Sequence, residues 1–317
     1  MIRRLAAGLL LACAPVVGAD LVRQSVSTPS GVTVEISCRA FEPGEPVFVV
    51  LKSRDAAAVR VRFLGKSVVL KPVVAAGRNP LAFLGIDLDA KPGPYAVDIL
   101  AEKSDGSIEE ARAEIAVSAK AFFSMKMSLP RQFVTPPSSQ AERIRREAEI
   151  VALIYSMSAP EWLGDGGFVA PHPAEAWPNF GQRRLTNNVL SSVHGGVDLK
   201  VPWGEPIRAA NRGRVVLASP LYLSGKSVII DHGLGVFSFY CHLSKLLVRR
   251  GDMVAKGTVI GKCGSTGRSS GPHLHWAMRA ADSRVDPYAM LAFLIDEEPV
   301  SAESGRGRTA ASERRIP

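Results

Sequence analysis

Four of the six histidines in this chain of 317 residues fall within three short segments, and one segment also carries a carboxylate. The first is Ser192-Val193-His194-Gly195-Gly196-Val197-Asp198. Two successive glycines disfavour a helix, and in an extended chain positions four apart point to the same side, so His194 and Asp198 can share one ion. The second is Gly271-Pro272-His273-Leu274-His275-Trp276. On a strand its two histidines face one way, with Leu274 and Trp276 turned into the core. The third, Tyr240-Cys241-His242-Leu243, ends another apolar β-run. Imidazole and carboxylate together suit Zn²⁺, whose catalytic sites use three protein ligands at about 2.0–2.1 Å and leave a position for water. Any one histidine by itself is more often a core or surface residue than a ligand. Three such segments in this order point to a metal-dependent hydrolytic site.

The remaining candidates read as structural. His172, between Pro171 and Pro173, is expected in a surface loop, and His232 in a turn at Asp231-His232-Gly233. Gly264-Ser265-Thr266-Gly267 lacks the lysine and spacing of a phosphate-binding loop, and reads as a tight turn that places the strand of His273 and His275.

Residues 177 to 288 resemble the catalytic domain of the lysostaphin/LytM-type zinc endopeptidases, which are peptidoglycan hydrolases. The matching segments are His194 to Asp198, Val228 to Gly233, Tyr240 to Leu243, and Gly264 to His275. Phe180 to Arg184 and Arg284 to Pro287 also fit the family's flanking sequence. The resemblance implies that His194, Asp198 and His275 are the zinc ligands and that His242 and His273 are metal-free catalytic histidines. No departure occurs at these five positions. Zinc would acidify its bound water and polarise the scissile carbonyl, while the two histidines handle protons and developing charge. The residues do not say which of the two takes the proton.

The function expected is zinc-dependent endopeptidase action on peptide bonds of cell-wall peptidoglycan. Likeness to exported Gram-negative members favours the D-Ala–diaminopimelate cross-link over a glycine bridge. The competing reading is a non-enzymatic LytM-like activator of a wall amidase, but degenerate members of that kind have lost metal ligands that this chain keeps. A β-rich carbohydrate-binding protein with incidental histidines would leave the His–Asp spacing unexplained.

The elements that must position these residues are mainly strands. From residue 20 to 120, short alternating runs such as Val32/Val34/Ile36 and Val59/Val61/Phe63 are separated by turn signals, which predicts an antiparallel β-sandwich. Residues 121–162 form a linker whose helix opens with a capping box at Ser139 to Glu142 and carries Ile144, Ala148, Val151 and Tyr155 at helical spacing. A connecting, solvated helix is the expectation there. Residues 163–295, rich in glycine and β-runs, form the antiparallel catalytic domain, and the tail 296–317 reads as disordered.

Residues 1–19 read as a secretory signal peptide: Arg3 and Arg4, an apolar stretch from Leu5 to Val17, and small residues before Asp20. Leu10 to Cys13 offers a second route, lipid anchoring through an acylated Cys13. Either route predicts an exported protein of the periplasm or cell envelope. A net charge of +9 suits an anionic envelope surface. Peptidoglycan peptides are the expected partners, with no nucleic acid, and a monomer is the expected state. Cys241 and Cys263 end two strand runs, and a disulfide between them requires those strands to be neighbours.

Overall fold

A computed structural model describes residues 21–53, 55–71, 79–127, 138–186 and 189–293. The expected leader with Cys13 and the tail 296–317 lie outside these residues. The first eight strands are β1 (Val22–Ser27), β2 (Thr33–Cys38), β3 (Pro46–Leu51), β4 (Ala56–Phe63), β5 (Lys66–Leu70), β6 (Leu81–Gly85), β7 (Gly93–Lys103) and β8 (Ile108–Val117). They form two four-stranded antiparallel sheets, ordered β1-β2-β3-β6 and β5-β4-β7-β8. Alternation decides which side is buried. In β4, Val59, Val61 and Phe63 point inward while Arg60 and Arg62 are exposed. Val34, Ile36, Val47 and Leu51 of one sheet meet Val59, Val61, Val97 and Ile99 of the other in one core. Each such side chain contributes about 1.5–3 kcal/mol when fully buried.

The chain then leaves through β9 (Ser124–Met127) and helix α1 (Ser138–Ser156). The helix begins one residue before the expected cap, so Ser139 lies inside its first turn. Ion pairs at i,i+4, Arg143–Glu147 and Arg145–Glu149 at 2.7 Å each, link its successive turns. It is more than a connector. Val151, Ile154 and Tyr155 pack onto Leu217, Ile229 and Phe237. Tyr155 meets the Phe237 ring edge-on at 5.2 Å, and Glu147 accepts the Tyr222 backbone N–H at 2.6 Å. The apolar stripe is wide enough to demand a partner, and the outer face of the catalytic sheet supplies it.

The C-terminal strands are β10 (Arg183–Thr186), β11 (Val189–Val193), β12 (Gly196–Leu199), β13 (Pro206–Arg208), β14 (Gly213–Leu221), β15 (Gly225–Gly233), β16 (Val236–Leu243), β17 (Lys245–Leu246), β18 (Met253–Val254), β19 (Val259–Lys262), β20 (Leu274–Ala280) and β21 (Ser283–Val285). A short helix α2 (Pro287–Met290) follows, capped by the Asp286 carboxylate. The main sheet has the order β12-β20-β16-β15-β14-β18, with β21 added beside β20. A small sheet β13-β19-β17 closes over it, and Val201, Ile207, Val228, Tyr240, Ile260 and Trp276 fill the space between. β9 pairs in parallel with β10, which pairs with β11.

The N-terminal sandwich is fastened to the edge of this sheet. Phe83 of β6 joins the catalytic core, 5.3 Å from both Phe48 and Trp162. The Ser283 hydroxyl donates to the Gly85 carbonyl at 2.7 Å, and Arg284 binds Asp87 through its backbone N–H and its guanidinium. Cys38, Cys241 and Cys263 are buried and free. Cys241 lies on β16 of the main sheet and Cys263 just past β19 of the small one, so the strand-neighbour condition for a disulfide is not met. Cys263 instead donates its S–H to the Val201 carbonyl at 3.2 Å.

Candidate metal centre and its histidines

The centre is laid out by the pairing of β12 with β20, in which Asp198 stands opposite His275. The same register opposes Gly196 to Ala277, and a Cβ at Gly196 would lie 2.5 Å from the Trp276 carbonyl oxygen. Only glycine lets the two strands approach there. On the other side of β20, Leu274 and Trp276 are fully buried, as the alternation requires. His194 precedes β12 in extended chain, held by its N–H to the Gln182 carbonyl at 2.9 Å and by the Gly181 N–H to its own carbonyl at 2.8 Å.

Three donor atoms converge. His194 Nε2 and His275 Nδ1 are 2.9 Å apart, and Asp198 Oδ1 lies 3.2 Å from the first and 2.9 Å from the second. His194 Nδ1 is 2.9 Å from the Asn179 carbonyl, which can only accept, so the proton sits on Nδ1 and Nε2 offers a lone pair. Four-coordinate zinc with ligand bonds near 2.0–2.1 Å has ligand atoms about 3.3 Å apart, close to this triangle. Converging lone pairs and a carboxylate repel one another unless a cation lies between them. Two imidazole nitrogens, one carboxylate oxygen and a free fourth direction fit zinc. Burial opposes ionisation of Asp198, but the neighbouring imidazoles of His194 and His275 outweigh that and hold it below the usual carboxylate range. Burial pushes His275 downward, against the pull of Asp198.

His242 and His273 stand beside this group with ring centroids 4.7 Å apart, and His242 is 6.2 Å from His275. Each has its Nδ1 engaged by a backbone carbonyl: His242 by Thr266 at 2.8 Å, His273 by Gly271 at 2.9 Å. In the neutral form of either ring Nδ1 therefore carries the proton, and Nε2 is the basic nitrogen. His273 Nε2 lies 3.8 Å from Asp198 Oδ1. His242 has φ 61°, a left-handed conformation that strains a side-chain-bearing residue by about 1–3 kcal/mol. Its N–H to the Ser224 carbonyl at 2.8 Å and the Thr266 contact hold it there. Thr266 is fixed in turn by its hydroxyl, which accepts from Lys226 N at 2.9 Å and donates to the Leu243 carbonyl at 2.7 Å. Burial pushes His242 down to about 4.

All five residues picked out in the sequence meet at this place. His172 and His232 do not. His172 is half-buried, with Nδ1 accepting the Ala174 N–H at 3.0 Å. His232 is no turn residue: it is fully buried within β15, with Nδ1 against the Arg212 carbonyl at 2.8 Å and Nε2 against the Ser238 hydroxyl at 2.7 Å. The β15–β16 turn falls two residues later, at Leu234–Gly235, which leaves His232 inside the sheet. The sequence reading missed Asn179, the Thr266 carbonyl and the rim of the site. Arg184 reaches within 3.7 Å of Asp198 Oδ2, and Trp177, 40% exposed, lies 6.4 Å from the His273 ring.

Comparison with known proteins agrees with this geometry. The profile of peptidase family M23 matches residues 192–287. Peptidoglycan DD-endopeptidase ShyA of Vibrio cholerae is 41% identical over 102 residues, 32% of this chain and 24% of the relative. DD-carboxypeptidase/endopeptidase Mpg of Neisseria meningitidis is 40% identical over 98 residues, 31% of this chain and 23% of the relative. The match thus spans about a quarter of the length of these two relatives. A crystal structure described as a peptidase M23 from Pseudomonas aeruginosa superposes with a TM-score of 0.59 at 32% identity, covering 79% of this chain and 95% of that one. That coverage takes in most of both molecules, and the chain belongs to peptidase family M23.

Proposed function

We propose that this chain is a zinc metalloendopeptidase that hydrolyses peptide bonds of cell-wall peptidoglycan. In this reading His194, Asp198 and His275 hold the ion, while His242 and His273 act on protons and developing charge. The carrying observation is the convergence of His194 Nε2, His275 Nδ1 and Asp198 Oδ1 within 2.9–3.2 Å, with two further imidazoles beside them. Bound zinc supplies a Lewis acid and a water acidic enough to ionise near neutral pH. The protein supplies the rest. With Nδ1 committed to a carbonyl, the Nε2 of His242 or of His273 can take a proton. Once protonated, it can donate to the developing oxyanion or to the leaving amine. Burial keeps His242 neutral, so its Nε2 is available to accept a proton.

The substrate is narrowed by the relatives from Vibrio cholerae and Neisseria meningitidis, whose names describe DD-endopeptidase and DD-carboxypeptidase/endopeptidase action. On that ground the D-Ala–diaminopimelate cross-link is the bond proposed. A location in the periplasm or cell envelope, a monomeric state, and peptidoglycan peptides as partners beside an anionic surface belong to the same proposal. No helix among the described residues is long and apolar enough to cross a membrane. The proposed division is a β-sandwich domain over 20–120, a linker over 121–162 and a catalytic domain over 163–295.

Digestion of purified Gram-negative peptidoglycan, with products identified by mass, tests the reading. Conversion of cross-linked dimers to monomers by the wild type, and not by His194→Ala, is the expected result. Cleavage of pentaglycine with dimers left intact would move the substrate elsewhere. Intact wall under zinc-replete conditions would remove the enzyme reading.

A further inference from the structure

The two oxygens of Asp198 do different things. Oδ1 faces His194 and His275. Oδ2 turns away and accepts the Asn179 side-chain N–H at 2.8 Å, with an Arg184 nitrogen at 3.7 Å. Asn179 makes two more contacts with the same group of ligands. Its Oδ1 accepts the backbone N–H of Asp198 at 3.2 Å, and its backbone carbonyl accepts the Nδ1 proton of His194 at 2.9 Å. One residue thus sets the tautomer of one ligand and the carboxylate plane of another.

We propose that Asn179 is a positioning residue that commits Asp198 to hold the metal through Oδ1 alone. The inference rests on the zinc reading of the centre. A carboxylate can bind through one oxygen or two, and the second mode consumes coordination space that a catalytic ion needs for water and substrate. An oxygen already accepting a hydrogen bond from a fixed carboxamide is a poor second ligand. Groups that orient ligands from outside a metal site commonly change metal affinity about 10–100-fold when removed.

The carboxamide is not needed to hold its own segment in place. Backbone bonds from Trp177 N to the Asp198 carbonyl at 2.8 Å and from Lys200 N to the Glu175 carbonyl at 2.9 Å fasten residues 175–179 along β12. Gln182 N also bonds the Asn179 carbonyl at 3.1 Å, and any residue at position 179 keeps that carbonyl. Side-chain removal should therefore act on the metal rather than on the fold.

The test uses the full chain with Asn179→Ala and Asn179→Asp. Zinc affinity is read by competition with a chromophoric chelator, ligand geometry by the visible absorption of cobalt(II) loaded in place of zinc, and the fold by the melting temperature of the metal-free protein. Four-coordinate cobalt absorbs strongly in the visible and higher-coordinate cobalt weakly, so the band reports coordination number. Asn179→Ala is expected to lose roughly 10–100-fold in zinc affinity and to weaken the cobalt band, with the metal-free melting temperature unchanged. Asn179→Asp keeps the shape and the acceptor but sets a second anion against Oδ2, and should perturb the band at least as much. Wild-type affinity and band in both variants would overturn the inference, as would a lowered melting temperature with an unaltered band. A wild type that takes up neither ion would overturn the zinc reading and this inference with it. Metal uptake with indifferent Asn179 variants would overturn the inference alone.

Discussion

Asp198 and His275 are direct cross-strand partners on β12 and β20, and their side chains meet at 2.9 Å. Opposed residues in an antiparallel pair have Cβ atoms about 4.5–5.5 Å apart on one face, a spacing a short acid and an imidazole can bridge. Two members of the centre are therefore placed by backbone hydrogen bonding before any metal is considered. The third, His194, arrives on the same side four residues upstream of Asp198, and a single loop carbonyl sets its ring.

The division between holding the ion and moving protons predicts unequal losses at the second pair of imidazoles. His242→Ala and His273→Ala should keep near-wild-type zinc and lose roughly 10²–10⁴ in turnover, the range of a removed general acid or base. Muropeptide release alongside metal content separates the two properties. His172→Ala, which lies apart from the centre, is the control and should change neither.

His232 makes stability depend on pH through a residue outside the site. Burial lowers it to about 4 from the ordinary 6.5. Between those values the unfolded chain binds a proton that the folded one refuses. Its contribution is therefore complete above pH 6.5 and declines as pH falls through the folded value. The loss approaches about 3 kcal/mol, from 1.36 kcal/mol for each pKa unit. Denaturant unfolding at pH 7 and pH 4.5 should show a steeper loss in wild type than in His232→Gln, whatever the latter's own starting stability. Equal slopes would refute the assignment.

Asp87 ties the sandwich to β21 by accepting from the backbone and side chain of Arg284. Burial alone would raise its pKa, but Arg284 and the local N–H donors prevail and lower it. Asp87→Ala leaves a half-buried guanidinium with one partner fewer, and should destabilise the full chain by about 1–3 kcal/mol. The ionised form is the stabilising one, so its contribution is lost as pH falls below the ordinary carboxylate range. The gap between wild type and variant in thermal unfolding should be smaller at pH 3 than at pH 7.

The legible parts of this molecule were those written in side-chain types. Alternation marked β4 and β2, the glycine pair at 195–196 marked extended chain, and His-x-His marked a strand face. What escaped depends on backbone atoms brought from a distance. The Thr266 carbonyl fixes His242 from 24 residues away, and a threonine in a Gly-Ser-Thr-Gly run announces a turn, not a tautomer. Asn179 lies between Pro178 and Phe180, where nothing local distinguishes a loop asparagine from one that orients a ligand. The parallel pairing of β9 with β10 joins residues about sixty positions apart with no shared pattern. The stripe of α1 ending in Tyr155 is legible, but a stripe does not say which surface it covers, and its partners Leu217, Ile229 and Phe237 lie more than sixty residues away.

The cysteines give a simple chemical check. Cys38, Cys241 and Cys263 should all react with a thiol reagent after denaturation without reductant, and resist it in the native fold, where each is buried. Burial also raises all three, to about 12 for Cys38 and about 11 for Cys263, which slows reaction further. Recovery of only one reactive thiol among these three would require a disulfide between two of them, which the fold does not contain.

Metal content tests the central claim most directly. Zinc per chain is measured by mass spectrometry on protein passed through a chelating column and reloaded. The account predicts one zinc for wild type, His242→Ala and His273→Ala. It predicts little or none for His194→Ala, Asp198→Ala or His275→Ala, because a site of three protein ligands that loses one no longer competes with water and chelator. No zinc in the wild type, or zinc lost from His242→Ala as fully as from His194→Ala, would contradict it.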